Sequence, residues 1–97
     1  MTFVQIVQFD GTPANAHDTG GNRLLINGNR ITRVSVGKNA SEHTDEAAFK
    51  WLTVYFVDSN KPEHICPFDA TGLPVSPTAA RGHDDELLLQ WFEWVAR

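Results

Sequence analysis

Short apolar segments separated by polar loops make up most of the chain, with alternation clearest at residues 49–57, and a helical period appears only at its end. Five segments combine this alternation with β-branched and aromatic residues, which is typical of strands. The predicted strands are residues 3–9, 23–26, 29–36, 49–57 and 63–68. The pattern predicts an α+β fold, an antiparallel sheet of about four to five strands with one C-terminal amphipathic helix packed on one face.

The dipeptide Asn27-Gly28 separates the second and third predicted strands and predicts a hairpin. Both central positions of a two-residue hairpin turn need positive φ, which Asn and Gly adopt readily. Such a turn would pair Leu24 with Ile31. Val34 would then lie on the opposite face from Ile31, so the sequence requires either a bulge near residues 32–33 or a longer loop.

The predicted strand at 49–57 has two different faces. One face is purely apolar and should point to the core: Leu52, Val54 and Phe56. The other face mixes aromatic rings with a hydroxyl group, which is typical of a face that is partly covered or contacts a partner: Trp51, Thr53, Tyr55 and Val57.

The terminal helix is predicted to begin near Asp84, although Ser76 followed by Pro77 is also a typical helix start. Its apolar arc is wide, about 160°, whereas a surface helix needs only about 100°. The arc consists of Leu87, Leu88, Trp91, Phe92, Trp94 and Val95. The excess apolar surface requires either a covering loop, such as residues 70–80, or a second subunit.

Length and charge limit the classes of function. A chain of 97 residues fits a single domain over residues 1–97. The net charge of −4 argues against non-specific nucleic-acid binding and against anionic membranes. One cysteine, no signal-peptide pattern and no long apolar run predict a soluble, cytoplasmic protein.

Candidate chemistry is sparse. His64 and Cys66 place an imidazole and a thiol close together, but two ligands do not make a structural metal site and no orienting third group is evident. The triplet Asp18-Thr19-Gly20 occurs in aspartic proteases, yet no apolar strand precedes it here, so we interpret it as a loop turn. The acids of residues 84–86 are typical partners of a helix dipole. We expect no metal and no cofactor.

Arginines are concentrated in the second and third predicted strands, where Arg23, Arg30 and Arg33 form a predicted basic patch. In the hairpin, Arg23 and Arg30 would share one face. The patch could bind an acidic partner or a short nucleic-acid segment, and the alternative interpretation is a set of solvated arginines on an open sheet face.

These observations favour a small non-catalytic binding or protein-interaction module, which acts through an aromatic-rich surface and associates as a homodimer. The predicted partner-binding residues are Trp51, Tyr55, Trp91, Phe92 and Trp94. One alternative is an accessory or regulatory protein of a mobile element. Another is an enzyme or metal-binding protein that uses His64 and Cys66, although the absence of a catalytic motif argues against an enzyme.

Overall fold

The computed structural model describes residues 3–8, 23–39 and 49–96. They contain β-strands and one α-helix, in agreement with the predicted α+β class. The elements are β1 (Phe3–Val7), β2 (Arg23–Asn27), β3 (Ile31–Asn39), β4 (Phe49–Phe56), β5 (Glu63–Ile65) and α1 (Asp85–Ala96). The predicted turn at Asp18-Thr19-Gly20 lies outside the described residues.

The strands form two antiparallel sheets rather than the single sheet that we expected. β1 pairs with β2, and β3, β4 and β5 form a three-stranded sheet in that order. An isolated bridge between Gln8 and Ile65 connects the two sheets, and the amide of Cys66 donates to the carbonyl of Val7 at 2.8 Å. The end of β1 therefore lies beside β5.

The predicted hairpin at Asn27-Gly28 is wrong. β2 pairs with β1, so that Leu24 lies opposite Ile6 rather than Ile31. Asn27 has φ −80°, and its side-chain oxygen accepts a hydrogen bond from the amide of Asn29 at 3.0 Å. This local bond caps a 3-10 turn over Gly28–Arg30, and the chain leaves β2 without the positive φ of a hairpin turn.

A bulge is present near residues 32–33, as the sequence allowed, but it lies in the pairing of β3 with β4 and not with β2. The register shifts between Ile31 and Arg33, so one extra residue stands in β3. The shift brings Ile31 to the same side as Val34, and both pack against the core. The mismatch of parity that the sequence shows is thus resolved by a bulge within the three-stranded sheet.

One cluster of buried apolar side chains joins the two sheets and the helix. Its members are Val4, Ile6, Leu52, Val54, Ile65, Phe68, Ala80, Leu88 and Phe92. Leu52 and Val54 confirm the predicted core face of β4. The rings of Phe68 and Phe92 lie 5.9 Å apart and bring the segment after β5 into contact with α1.

Helix α1 begins at Asp85, close to the predicted Asp84 and well after Ser76. The hydroxyl of Ser76 accepts from the amide of Ala79 at 3.1 Å, but the turn that it caps ends before α1. Gly82 has φ +78° and redirects the chain immediately before the helix. With twelve residues, α1 is too short to cross a membrane, and the described residues contain no helix that could.

Candidate functional site

The face of β3, β4 and β5 that points away from the core forms the candidate site, and we call it the outer face. Residues directly opposite each other in antiparallel strands point to the same side. The register pairs Arg33 with Tyr55, Gly37 with Trp51, and Thr53 with His64. The outer face therefore includes Arg33, Ser35, Gly37, Phe49, Trp51, Thr53, Tyr55 and His64.

Arg33 and Tyr55 form the best-defined contact of the outer face. The guanidinium carbon of Arg33 lies 4.0 Å from the centre of the Tyr55 ring, within the range of a cation–π interaction. Arg33 is exposed and Tyr55 is partly exposed. The stacking holds a planar cation flat on the sheet, with donors at its rim available to a carboxylate.

Trp51 lies four residues before Tyr55 on the same side of β4, and its indole ring lies against the backbone of β3 at Gly37. A Cβ atom built on Gly37 would overlap this ring and would stand only 2.7 Å from its Cζ2 atom. Glycine at position 37 therefore allows the indole to lie against the strand. The aromatic surface is flat because β3 presents no side chain beneath the ring.

His64 and Thr53 form a polar pair next to the aromatic residues. The Nδ1 atom of His64 lies 3.1 Å from the hydroxyl of Thr53. Thr53 as a residue is only 6% exposed. This contact satisfies a buried hydroxyl and fixes the exposed imidazole on the outer face. Cys66 is fully buried, so its thiol is not on the surface that presents His64.

The predicted His64 and Cys66 pair therefore does not form an open site in this structure. A substrate that reaches the imidazole from solvent does not reach the thiol, because Cys66 has no exposed surface. Among the described residues, no group of three or more His, Cys, Asp or Glu side chains is arranged to hold a metal ion.

The predicted aromatic surface is divided between two parts of the molecule. Trp51 and Tyr55 are on the outer face, whereas Phe92 is 4% exposed and belongs to the core on the opposite side of β4. Trp91 packs against the core and contacts His83 edge-on, with ring centres 5.4 Å apart. We predicted Phe92 as a partner-binding residue, but the structure places its ring in the core and not on an exposed surface.

The segment after β5 covers part of the wide apolar arc of α1. Gly72 lies against Val95, and its neighbours line a shallow pocket with Trp91 and Trp94. The carboxylate of Asp69 shapes this segment, because it accepts hydrogen bonds from Thr71 and from the amide of Leu73. Trp94 is still 49% exposed, so the segment covers the arc only in part.

The predicted basic patch is also divided. Arg23 is at the exposed start of β2, in the two-stranded sheet. Arg30 forms an ion pair with Asp58, which raises the pKa of the guanidinium and lowers the pKa of the carboxyl group. Only Arg33 reaches the outer face, because the shared face of Arg23 and Arg30 depended on a hairpin that does not form.

Asp85 forms an ion-pair cluster at the start of α1, beyond the interaction with the helix dipole that its position in the sequence predicts. Asp85 lies 2.8 Å from the ammonium of Lys38 and 3.0 Å from that of Lys50. Hydrogen bonds from Lys38 and then Lys50 lower the pKa of Asp85. Lys50 also donates to the carbonyl of His83. The cluster connects α1 to β3 and β4 and serves the fold.

Gly37 was not singled out from the sequence, and Thr53 was placed on the mixed face of β4 without its contact to His64. Their roles depend on the register between β3, β4 and β5, which the local sequence pattern does not specify.

Comparison with known proteins identifies no function, since no protein-family model, curated protein or solved structure matches the chain.

Proposed function

We propose that this chain is a non-catalytic protein-interaction module that binds its partner through the outer face. The observation that carries the proposal is Arg33 stacked on Tyr55, with Trp51 four residues earlier on the same side of β4, opposite the core. Tyr, Trp and Arg are the residues most enriched among the few that dominate binding energy at protein interfaces. The structure describes no helix or strand packed against this side of the sheet.

Charge indicates the chemistry of the partner. Among the described residues, the outer face presents the guanidinium of Arg33 and, stacked on Phe49 at one end, that of Arg81, and no carboxylate. The whole chain, in contrast, has twelve acidic residues against eight basic ones. A carboxylate of the partner can accept bidentate hydrogen bonds from Arg33 while an apolar side chain packs on Trp51. We therefore expect a partner segment that combines an acidic residue with an aromatic or aliphatic one.

Rigidity supports the same function. The guanidinium of Arg33 stacks on Tyr55, and the indole of Trp51 packs against the backbone at Gly37. The imidazole of His64 is within hydrogen-bond distance of the Thr53 hydroxyl. Side chains that are already ordered lose less conformational entropy when a partner binds. The outer face is therefore prepared for recognition before the partner arrives.

A random peptide display library tests the proposal, with the purified chain as the target. We expect selected peptides to contain an acidic and an apolar residue and to bind the Arg33→Ala variant at least tenfold more weakly, which corresponds to about 1.4 kcal/mol. Arg33→Lys should lose most of this affinity too, because lysine retains the charge but not the planar, bidentate geometry. Titration calorimetry with a synthetic copy of the selected peptide gives the affinities.

Trp94→Ala is the matched control, since it removes an exposed aromatic ring from α1 rather than from the outer face. Its affinity for the peptide should equal that of the wild type. Peptides that bind Arg33→Ala and wild type equally, or that lose affinity only in Trp94→Ala, would contradict the proposal. A library that yields no binder would contradict it as well.

A further inference from the structure

The sheet of β1 and β2 exposes large apolar side chains. Leu25 is 70% exposed, Phe3 59% and Leu24 37%. A two-stranded sheet is marginally stable by itself, and here it is supported from one side by Val4 and Ile6 in the core. Exposure of three large apolar residues on so small an element is typical of a surface that another protein covers.

One edge of β2 is also without a strand partner among the described residues, since β2 pairs only with β1. Natural proteins protect such edges with lysine, proline or a bulge. β2 contains neither lysine nor proline, and its register with β1 runs over five residues without a shift.

Strand β3 is the contrasting case within the same molecule. Within the described part of the chain, it too pairs on one side only, with β4. However, it has a bulge between Ile31 and Arg33 and a lysine, Lys38, near its end. Both features discourage the addition of another strand. Among the described residues, the edge of β3 is protected and the edge of β2 is open, which singles out β2 as the edge that accepts a strand.

The sequence of β2 fits a second copy of itself. Its residues Arg-Leu-Leu-Ile-Asn have polar ends and an apolar centre, so the pattern of polarity is the same in both directions. In an antiparallel pair with its two-fold axis at Leu25, Arg23 lies opposite Asn27 and Leu24 lies opposite Ile26 of the other copy. No like charges face each other, and all five residues of the strand take part.

We infer that two copies of this chain associate through the free edges of β2, so that the two small sheets join into one four-stranded antiparallel sheet. The contact is isologous, as is usual for a homodimer. It uses a surface different from the outer face, so it stands independently of the proposed peptide-binding function.

Disulfide crosslinking tests the register. Opposite Cα atoms in an antiparallel pair are about 4.5–5.5 Å apart, which a disulfide can bridge. Leu25→Cys should therefore form a covalent dimer on mild oxidation. Leu24→Cys is the matched control, because residue 24 lies one position from the axis in each copy. The two copies of residue 24 are therefore offset by two positions along the strands, which is too far for a disulfide. Crosslinking of Leu24→Cys rather than Leu25→Cys would overturn the register.

Light scattering tests the association itself. Wild type should have the mass of a dimer at micromolar concentration. Leu25→Lys should have the mass of a monomer, because in a dimer it would place two ammonium groups opposite each other. Circular dichroism should show that this variant is folded. Leu73→Lys is the matched control, because Leu73 is 63% exposed but lies outside β2. It should stay a dimer. A monomeric wild type at every concentration, or dissociation by Leu73→Lys as much as by Leu25→Lys, would overturn the inference.

Discussion

Gly37 shows how one residue determines the shape of the outer face. Glycine within a strand normally weakens the strand, and its replacement by alanine then stabilises the protein by up to about 1 kcal/mol. Here the opposite sign is expected, because the new methyl group would occupy the space of the Trp51 indole. Gly37→Ala should lower the free energy of unfolding by about 1–3 kcal/mol, measured by urea denaturation.

Ser35→Ala is the control for this substitution. Ser35 lies on the same face of the same strand, opposite Thr53 rather than Trp51. Its replacement should change the stability by less than about 0.5 kcal/mol. Equal stability of Gly37→Ala and wild type would show that the indole does not rest on β3.

The strands and helices that have a clear apolar periodicity in their own sequence were predicted well. β4 and α1 agree with the sequence to within a residue at each end, because each has a continuous apolar face that matches its period. The hairpin failed because Asn27 uses its side chain to cap the next turn. β5 ends at Ile65 rather than residue 68, and Pro67, which has no amide hydrogen to donate to a strand ladder, follows shortly after.

The docking of α1 onto the strands provides a test at this scale. Asp85, in the first turn of α1, joins Lys38 of β3 and Lys50 of β4, and the side chain of Lys50 is only 14% exposed. Asp85→Asn should lower the free energy of unfolding at pH 7 by roughly 0.5–1.5 kcal/mol. Glu86→Gln is the control, since Glu86 shares the interaction with the helix dipole in the same turn. Glu86→Gln should lower the free energy of unfolding by less than Asp85→Asn does.

The pH dependence of this difference has a defined sign. The folded protein holds the pKa of Asp85 below its usual value, so the folded state binds fewer protons there than the unfolded state. The stabilisation is complete above the unfolded pKa of about 4 and is lost as the pH falls through the lower folded pKa. The gap between wild type and Asp85→Asn should be constant from pH 6 to 8 and narrow below pH 4. A gap that widens in acid would contradict the ion-pair cluster.

For the whole molecule, the sequence could not provide the arrangement of the two sheets. The predicted aromatic surface included Trp51, Tyr55 and Phe92 together, but the fold places Phe92 on the other side of β4. The contact between Arg33 and Tyr55 joins residues 22 positions apart, and it depends on a bulge that shifts the register of β3. Such contacts are set by strand pairing, which local periodicity does not determine.

The shared core predicts that both sheets and the helix unfold together. Ile6 of β1 packs in the same cluster as Leu52 of β4 and Leu88 of α1. The three tryptophans of the chain lie in β4 and α1, so their fluorescence reports on those elements and not directly on β1. Ile6→Val should lower the urea midpoint measured by tryptophan fluorescence, at a cost of about 0.5–1.5 kcal/mol, and Ile6→Ala should lower it further, at about 2–5 kcal/mol.

The exposed neighbour of Ile6 supplies the control, since Gln5→Ala removes a side chain from β1 without opening a cavity and should leave the midpoint within about 0.5 kcal/mol of wild type. All variants are compared at one protein concentration, because association would make the midpoint depend on it. Circular dichroism in the far ultraviolet should give the same midpoints as fluorescence. If Ile6→Ala left the fluorescence transition unchanged while circular dichroism showed an earlier step, the sheet of β1 and β2 would unfold as a separate unit. Coincident transitions in every variant would instead show that the sheet of β1 and β2 unfolds together with β4 and α1, as the shared buried cluster predicts.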